Sequence, residues 1–255
     1  MFSPKGKFAW YELMTGDTKA AGRFYSSVVG WSTQEQPAAD GVQYTTFNIG
    51  NEGMAGMLHL PQHTGWIGYI HVEDVDAHVE KIVEAGGKLW KPATDIPKML
   101  RFAVLSDPQG AAIAIFTPHS SMPPQQRPAP PAPGTIGWHE LYTTDLEAGF
   151  AFYNRLFGWT KLNDMDMGPM GPYRIFDEGG HKEMGDGGMM KTIPQIPVSC
   201  WNFYFHVDSI KAAIERVKDG GGKVVNGPMQ VPGGAWMING QDPQGAMFSL
   251  MSGKE

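Results

Sequence analysis

The sequence is written twice. Trp10-Tyr11-Glu12-Leu13-Met14-Thr15-Gly16-Asp17 returns as Trp138-His139-Glu140-Leu141-Tyr142-Thr143-Thr144-Asp145 at an offset of 128 residues. Each copy runs on through Phe24-Tyr25 or Phe152-Tyr153 to Gly30-Trp31 or Gly158-Trp159 at the same offset. Farther along, His71-Val72, Gly86-Gly87-Lys88, Pro97 and Asp107-Pro108-Gln109-Gly110 reappear as His206-Val207, Gly221-Gly222-Lys223, Pro232 and Asp242-Pro243-Gln244-Gly245 at an offset of 135. The chain is a tandem duplication whose second copy carries a net seven-residue insertion between Trp159 and Trp201. Two copies of one sequence build two copies of one fold, and a residue held in both copies is one that the architecture or its site needs.

At 255 residues, 42% hydrophobic and 18% charged, the chain can bury a core in each half. A formal net charge of −6 excludes a surface made to neutralise phosphates, so no nucleic-acid or membrane partner is expected. Met1 to Lys7 lacks an apolar leader, and no run reaches the roughly 18 apolar residues that would span a bilayer. A cytoplasmic location is the expectation. The single cysteine, Cys200, excludes an intramolecular disulfide and reads as a small buried hydrophobe.

Prolines 118, 123, 124, 128, 130, 131 and 133 make residues 118–134 a linker of extended conformation between a first domain at 1–117 and a second at 135–255. In each half a strand (Phe8 to Met14; Ile136 to Tyr142) leads into a helix with Asp17 or Asp145 as cap and Gly30 or Gly158 as stop. Strands follow at Gln43 to Asn48 and Gly53 to Leu58, and at Tyr173 to Asp177 and Gly188 to Thr192. The pattern then restarts with a strand (Trp66 to Val72; Trp201 to Val207), a second helix, and a hairpin turning on Asp-Pro-Gln-Gly. Each half thus reads as βαβββ twice. Gly220-Gly221-Gly222-Lys223 follows a helix and lacks Walker spacing, so it is a helix stop. The Met-rich stretch Asp164 to Pro172 reads as an adaptable flap.

The Asp-capped helix ending in Phe-Tyr and Gly-Trp, followed by a second unit closing on Asp-Pro-Gln-Gly and an apolar strand, resembles the vicinal oxygen chelate superfamily. That superfamily contains glyoxalase I, the bleomycin and fosfomycin resistance proteins and the extradiol dioxygenases. The resemblance covers nearly the whole chain outside the linker and the extreme ends. It implies an α+β fold in which four βαβββ modules form two glyoxalase-like domains whose curved mixed sheets enclose cups. Metal ligands, usually His or Glu, point into such cups. Carried over by position, the ligand places fall on Trp10 and Trp138, on Ile67 and Asn202, near Gly56 and Gly188, and on Ala114 and Ser249. A divalent ion needs about three converging protein donors, so no metal and no other cofactor is expected.

Side chains alternate along a strand, so a ligand place facing inward brings its i+2 neighbours inward too. Each half then offers the same set: Trp10, Glu12, Tyr69 and His71, and Trp138, Glu140, Tyr204 and His206, joined by Asn202. Rings supply an apolar wall, and Glu and His supply fixed hydrogen bonds, which suits a small hydrophobic or aromatic molecule. The first expectation is a metal-independent binding protein of the glyoxalase/bleomycin-resistance type. The alternative is an enzyme, a lyase, isomerase or hydroxylase-like activity with Glu12 or Glu140 as base and His71 or His206 as partner. A displaced metal site on Glu12 with His71, or Glu140 with His206, is the third. The structural readings beside these are core packing for the rings and strand-end anchoring for the histidines. The partner is a small-molecule ligand or substrate, and the chain is a monomer or a homodimer. The sequence leaves open whether a cup is built within one half or between halves.

Overall fold

Asp caps, glycine stops and alternating strands turn each repeat into the same element series. In the computed structural model, which describes residues 5–39, 42–121, 126–180 and 183–255, the first module is β1 (Phe8–Thr15), α1 (Thr18–Val29), β2 (Ser32–Ala39), β3 (Val42–Ile49) and β4 (Glu52–His59). The second is β5 (Gly65–His71), α2 (Val75–Glu84), β6 (Lys88–Ile96), β7 (Leu100–Ser106) and β8 (Ala112–Pro118). The third is β9 (Ile136–Thr143), α3 (Leu146–Phe157), β10 (Thr160–Asp166), β11 (Pro172–Asp177) and β12 (Gly187–Lys191). The fourth is β13 (Cys200–His206), α4 (Ile210–Asp219), β14 (Lys223–Gln230), β15 (Trp236–Gln241) and β16 (Met247–Ser252). These are the four βαβββ modules of an α+β fold. Asp17 and Asp145 accept from the backbone N–H three residues on, and Gly30 and Gly158 close their helices at φ of 90° and 75°, a left-handed conformation that glycine adopts without strain.

Hydrogen-bonded neighbours run β2-β3-β4-β1 and β5-β8-β7-β6 in the first half and β10-β11-β12-β9 and β13-β16-β15-β14 in the second, within two eight-stranded mixed sheets, one from each half. Strands β1/β4, β5/β8, β9/β12 and β13/β16 pair in parallel, and β2/β3, β3/β4, β6/β7, β7/β8, β10/β11, β11/β12, β14/β15 and β15/β16 pair antiparallel. Two strands counted in the βαβββ reading were given no place in the sequence, β2 and β10. Both are polar outer strands, and β10 buries almost nothing, so backbone pairing with β3 and β11 holds them in place of an alternating apolar pattern. This corrects the expected flap: Asp164 to Asp166 complete β10, with Met165 opposite Tyr173, and only Gly168–Met170 forms a short separate turn.

The insertion of the second copy is divided among three places. The offset rises to 129 at Tyr44/Tyr173, to 132 at Gly56/Gly188 and to 135 at Trp66/Trp201. The extra residues fall before β11, before β12 and before β13, so none interrupts a strand that carries a site candidate.

The chain divides into two compact units, each drawing on both halves. One comprises Met1–Ala9, Ile67–Pro124 and His139–Trp201, and the other Trp10–Trp66, Gln125–Trp138 and Asn202–Glu255. In the first unit Trp159 stacks between Tyr153 and Phe176, with ring centroids 4.9 and 4.7 Å away, and Trp201 meets it edge-on. Trp201 Nε1 donates to the Tyr153 hydroxyl at 2.9 Å, which donates to Asp107 at 3.1 Å, and Trp159 Nε1 donates to the Gly6 carbonyl at 2.5 Å. In the second unit Trp31 lies among Tyr25, Phe47, Trp66 and Phe205. Trp66 Nε1 donates to Tyr25 at 2.9 Å, Tyr25 to Asp242 at 3.1 Å, and Trp31 Nε1 to the Gly134 carbonyl at 2.7 Å. The repeated Phe-Tyr, Gly-Trp and Asp-Pro-Gln-Gly motifs therefore serve the same purpose: a tyrosine from one copy is fastened to the turn aspartate of the other. Burial pushes both tyrosines well above their ordinary pKa, with the facing carboxylate adding to the shift.

Part of the Pro-rich linker is anchored. Within the second unit Gln126 donates its N–H to Glu52 at 3.0 Å, and Arg127 Nε donates to the Gly53 carbonyl at 2.7 Å. Residues 122–125, which include Pro123 and Pro124, lie outside the described residues, as do Met1 to Pro4. Among the described residues no helix is long and apolar enough to cross a membrane.

Candidate functional site

Glu12 sits on β1 opposite Gly56 of β4 and is only 8% exposed. Tyr44, on the neighbouring strand β3, reaches across Gly56, where a Cβ would collide with its hydroxyl. That hydroxyl is hydrogen-bonded to Glu12 and accepts from Trp10 Nε1 at 2.9 Å. Trp10, Tyr44 and Glu12 form a relay ending on the carboxylate. Burial raises the Tyr44 pKa well above the ordinary phenol, and the Glu12 charge raises it further, so Tyr44 keeps its proton and donates. Arg127, from the linker, lies over the Trp10 ring at 5.0 Å. Burial lowers its pKa to about 10, which leaves it cationic at neutral pH.

The first unit repeats this arrangement. Glu140 of β9 is opposite Gly188 of β12, is 5% exposed, and accepts from the Tyr173 hydroxyl at 2.9 Å. A Cβ on Gly188 would collide with the Tyr173 ring. Tyr142, two residues along β9 on the same face, also bonds to Glu140, and its pKa is raised by burial first and by the Glu140 charge second. Two phenols thus hold one buried carboxylate. Cys200 is half-buried, not fully buried as expected from sequence, and its thiol is pushed up to about 11 by burial and by Glu140. It remains a thiol at neutral pH, which rules out a resting thiolate nucleophile.

Tyr44, Tyr142 and Tyr173 were absent from the sequence-based set. The available signal was a tyrosine three residues before Phe47 and Phe176 together with a glycine at the same place in both copies. Only the strand register shows that this glycine makes room for that tyrosine.

On β13 the alternation holds. Phe203 packs against Tyr11 and Phe205 against Trp31, while Asn202 and Tyr204 take the other face. Asn202 Nδ2 donates to Ser249 Oγ at 2.6 Å, and Asn239 Nδ2 donates to the same oxygen at 2.7 Å and to the Tyr204 hydroxyl at 3.4 Å. Asn226 extends the chain by donating to Asn239 Oδ1 at 2.9 Å. Tyr69 and His71 of β5 share a ring contact with Phe116, at 6.4 and 5.4 Å. Trp138 is half-buried.

Both strand-end histidines exchange backbone bonds with the segment before the first strand of a half. His71 pairs with Gly6 and Lys7, and His206 with Gly134 and Thr135. The His206 ring occupies the space that a Cβ on Gly137 would fill. Burial pushes the pKa of His206 down to about 4. The unfolded chain, with a pKa near 6.5, then binds a proton that the folded chain refuses between about pH 6.5 and pH 4. Stability contributed by the neutral ring is complete above pH 6.5 and is lost as pH falls through that window. His206→Asn should flatten the wild-type loss between pH 6.5 and 4 by up to about 3 kcal/mol, read from urea midpoints at each pH. Parallel wild-type and variant curves would show that the ring does not titrate this way.

The family's metal-ligand places do not fit an ion. They hold Trp10 and Trp138, Ile67 and Asn202, Gly56 and Gly188, and Ala114 and Ser249, and Asn202 and Ser249 are bonded to each other. Among the described residues no group of three or more His, Cys, Asp and Glu side chains is placed to hold a metal. The two glycines stand beside Glu12 and Glu140, and the tyrosine hydroxyls occupy the space a ligand side chain would take.

Paired βαβββ modules with a carboxylate on the first strand and a hairpin closing the second define a protein of the glyoxalase-like class. The chain belongs to the Glyoxalase/Bleomycin resistance protein/Dioxygenase superfamily, whose pattern it matches at residues 7–115 and 135–250. It is similar to the provisionally named glyoxylase CFP32 of Mycobacterium tuberculosis, at 32% identity over 95% of this chain and 93% of that one. It is also similar to the anthracycline biosynthesis protein DauV of Streptomyces sp. strain C5, at 29% identity over 100% of this chain and 95% of that one. Among solved structures, the Mn(II)-bound glyoxalase from Novosphingobium aromaticivorans superposes with a TM-score of 0.69 at 13% identity, covering 98% of this chain and 83% of that one. The 2,3-dioxygenase LapB from Pseudomonas sp. KL28 superposes with a TM-score of 0.68 at 15% identity, covering 100% and 94%. These two establish the shared fold.

Proposed function

We propose that this protein binds a small hydrophobic or aromatic molecule without a metal, and that Glu12 and Glu140 grip the molecule's polar edge. The observation that carries this reading is the tyrosine-held carboxylate, present in both copies beside the glycine, Gly56 or Gly188, on which one of the family's ligand places falls. A buried carboxylate already oriented by one or two phenols is a strong, fixed acceptor for a ligand O–H or N–H. The name of one relative, an anthracycline biosynthesis protein, supports an aromatic ligand class.

The test is calorimetric titration of 2-naphthol into wild type, Glu12→Gln, Glu140→Gln and the double variant, before and after dialysis against EDTA. The expected result is saturable binding that EDTA does not change and that weakens about tenfold or more per glutamate lost at its own site. Binding that EDTA abolishes, or that survives in the double variant, would sink the proposal.

A second reading has a specific observation behind it. In each copy a carboxylate and a protonated phenol share a hydrogen bond, which places a base and an acid side by side. On this reading Glu140→Gln still binds a substrate but no longer transforms it.

A further inference from the structure

The fourth module carries a polar network that its counterpart in the first half lacks. Asn202, Ser249 and Asn239 occupy the repeat positions of Ile67, Ala114 and Val104. Three apolar places have become an amide, a hydroxyl and an amide, all buried at 7%, 0% and 3% exposure. Asn226 Nδ2 fixes Asn239 through its Oδ1, which turns Asn239 Nδ2 towards Ser249. Ser249 Oγ then meets both amides, at 2.6 and 2.7 Å. Asn202 Oδ1 is left buried with no hydrogen-bond partner among the described residues.

An amide oxygen in that condition bears its desolvation with no bond in return, which is why such atoms in native proteins nearly always have a partner. Packing does not demand the polar residues, since the first half fills the same places with Ile, Ala and Val. Their cost is offset only if something completes the network. The matching chemistry is a neutral group that both donates and accepts, because either rotamer of the Asn202 amide leaves one hydrogen-bonding position open. A hydroxyl meets that requirement, and a carboxylate would meet no cation in this network.

We infer that the face of the fourth module formed by Asn202, Tyr204, Asn239 and Ser249 is a recognition subsite for a hydroxyl carried on an aromatic ligand, and that the matching face of the second module is its apolar, hydroxyl-indifferent counterpart. This rests on the small-molecule reading above. The two copies of the scaffold have then diverged in specificity while keeping the same glutamate–tyrosine pair.

The experiment compares 2,7-dihydroxynaphthalene with 2-naphthol by calorimetric titration, using wild type and Asn202→Ile/Ser249→Ala, so that the one hydroxyl gripped by a glutamate is common to both probes. Both replacements are the residues the first half already carries at these positions, so the sheet accommodates them. Wild type should bind the diol about tenfold tighter than 2-naphthol, in line with one hydrogen bond to a buried neutral group. The double variant should lose that preference. A wild-type readout that needs no variant is the side-chain amide NMR resonances of Asn202 and Asn239, which should move with the diol and stay in place with 2-naphthol. Equal wild-type binding of the two probes, or a preference retained in the double variant, overturns the subsite and leaves the binding function standing. Failure of both probes to bind overturns both.

Discussion

Asp242→Ala is expected to cost about 4 kcal/mol of unfolding free energy. One carboxylate accepts from the N–H groups of Gln244 and Ala246, at 2.9 and 2.8 Å, and from the Tyr25 hydroxyl at 3.1 Å. The substitution orphans all three donors in a site that is 4% exposed. Bonds to a charged acceptor are worth about 1.5–3 kcal/mol each, and loss of one partner leaves the others to bear the desolvation cost. Asp242→Asn keeps an acceptor for the turn and should cost about half as much. Urea unfolding at neutral pH measures both, and a loss under about 1 kcal/mol for the alanine variant would show that the tyrosine–aspartate fastening is incidental. Asp107, which binds Gln109, Ala111 and Tyr153 in the same way, should respond alike.

Gly188→Ala is expected to weaken binding at the Glu140 site about tenfold or more while leaving the fold intact. The new methyl would occupy the space of the Tyr173 ring, so the ring must turn away and its 2.9 Å bond to Glu140 is lost. Overpacking of this kind costs about 1–3 kcal/mol, which a domain of this size survives. Gly188→Ala paired with Tyr173→Phe separates the two effects. If the glycine matters only by admitting the tyrosine, both variants lose ligand affinity to a similar extent, about tenfold or more, and only Gly188→Ala loses stability. Full binding by Gly188→Ala would refute the steric account of why glycine stands in this place in both copies.

Much of the fold was legible in the sequence because its signals are local. Asp17 and Asp145 cap helices through their own side chains, Gly30 and Gly158 end them through their own backbone freedom, and the Asp-Pro-Gln-Gly turns are fixed by aspartates bonding two and four residues ahead. The same locality explains the misses. Strands β2 and β10 are held by their neighbours' backbones, and their sequences show no alternating apolar pattern from which to infer them. Cys200 reads as a core residue by type, yet it lies half-buried within reach of the Glu140 charge, a neighbour from another strand.

The candidate site divides along the same line. Repetition pointed to Glu12 and Glu140 as buried acids with a purpose, and both are buried. It also marked Trp10, which the structure joins to Glu12 through Tyr44, and Tyr204; Asn202 came from the family's ligand places, and the structure joins it to Tyr204 through Ser249 and Asn239. It offered no means of choosing Tyr44, Tyr142 and Tyr173 from eight tyrosines, because a tyrosine on an adjacent strand has no fixed sequence distance from the acid it holds.

What the sequence determined by itself was the duplication, the helix boundaries, the βαβββ rhythm and the family, all written in spacings along the chain. What only the tertiary structure decided was which partner each repeated residue has: Tyr25 with Asp242, Tyr153 with Asp107, and Tyr173 across Gly188 onto Glu140. Strand register and the exchange of motifs between copies are long-range pairings, set by the mutual fit of distant surfaces and carrying no signature in the residues nearby.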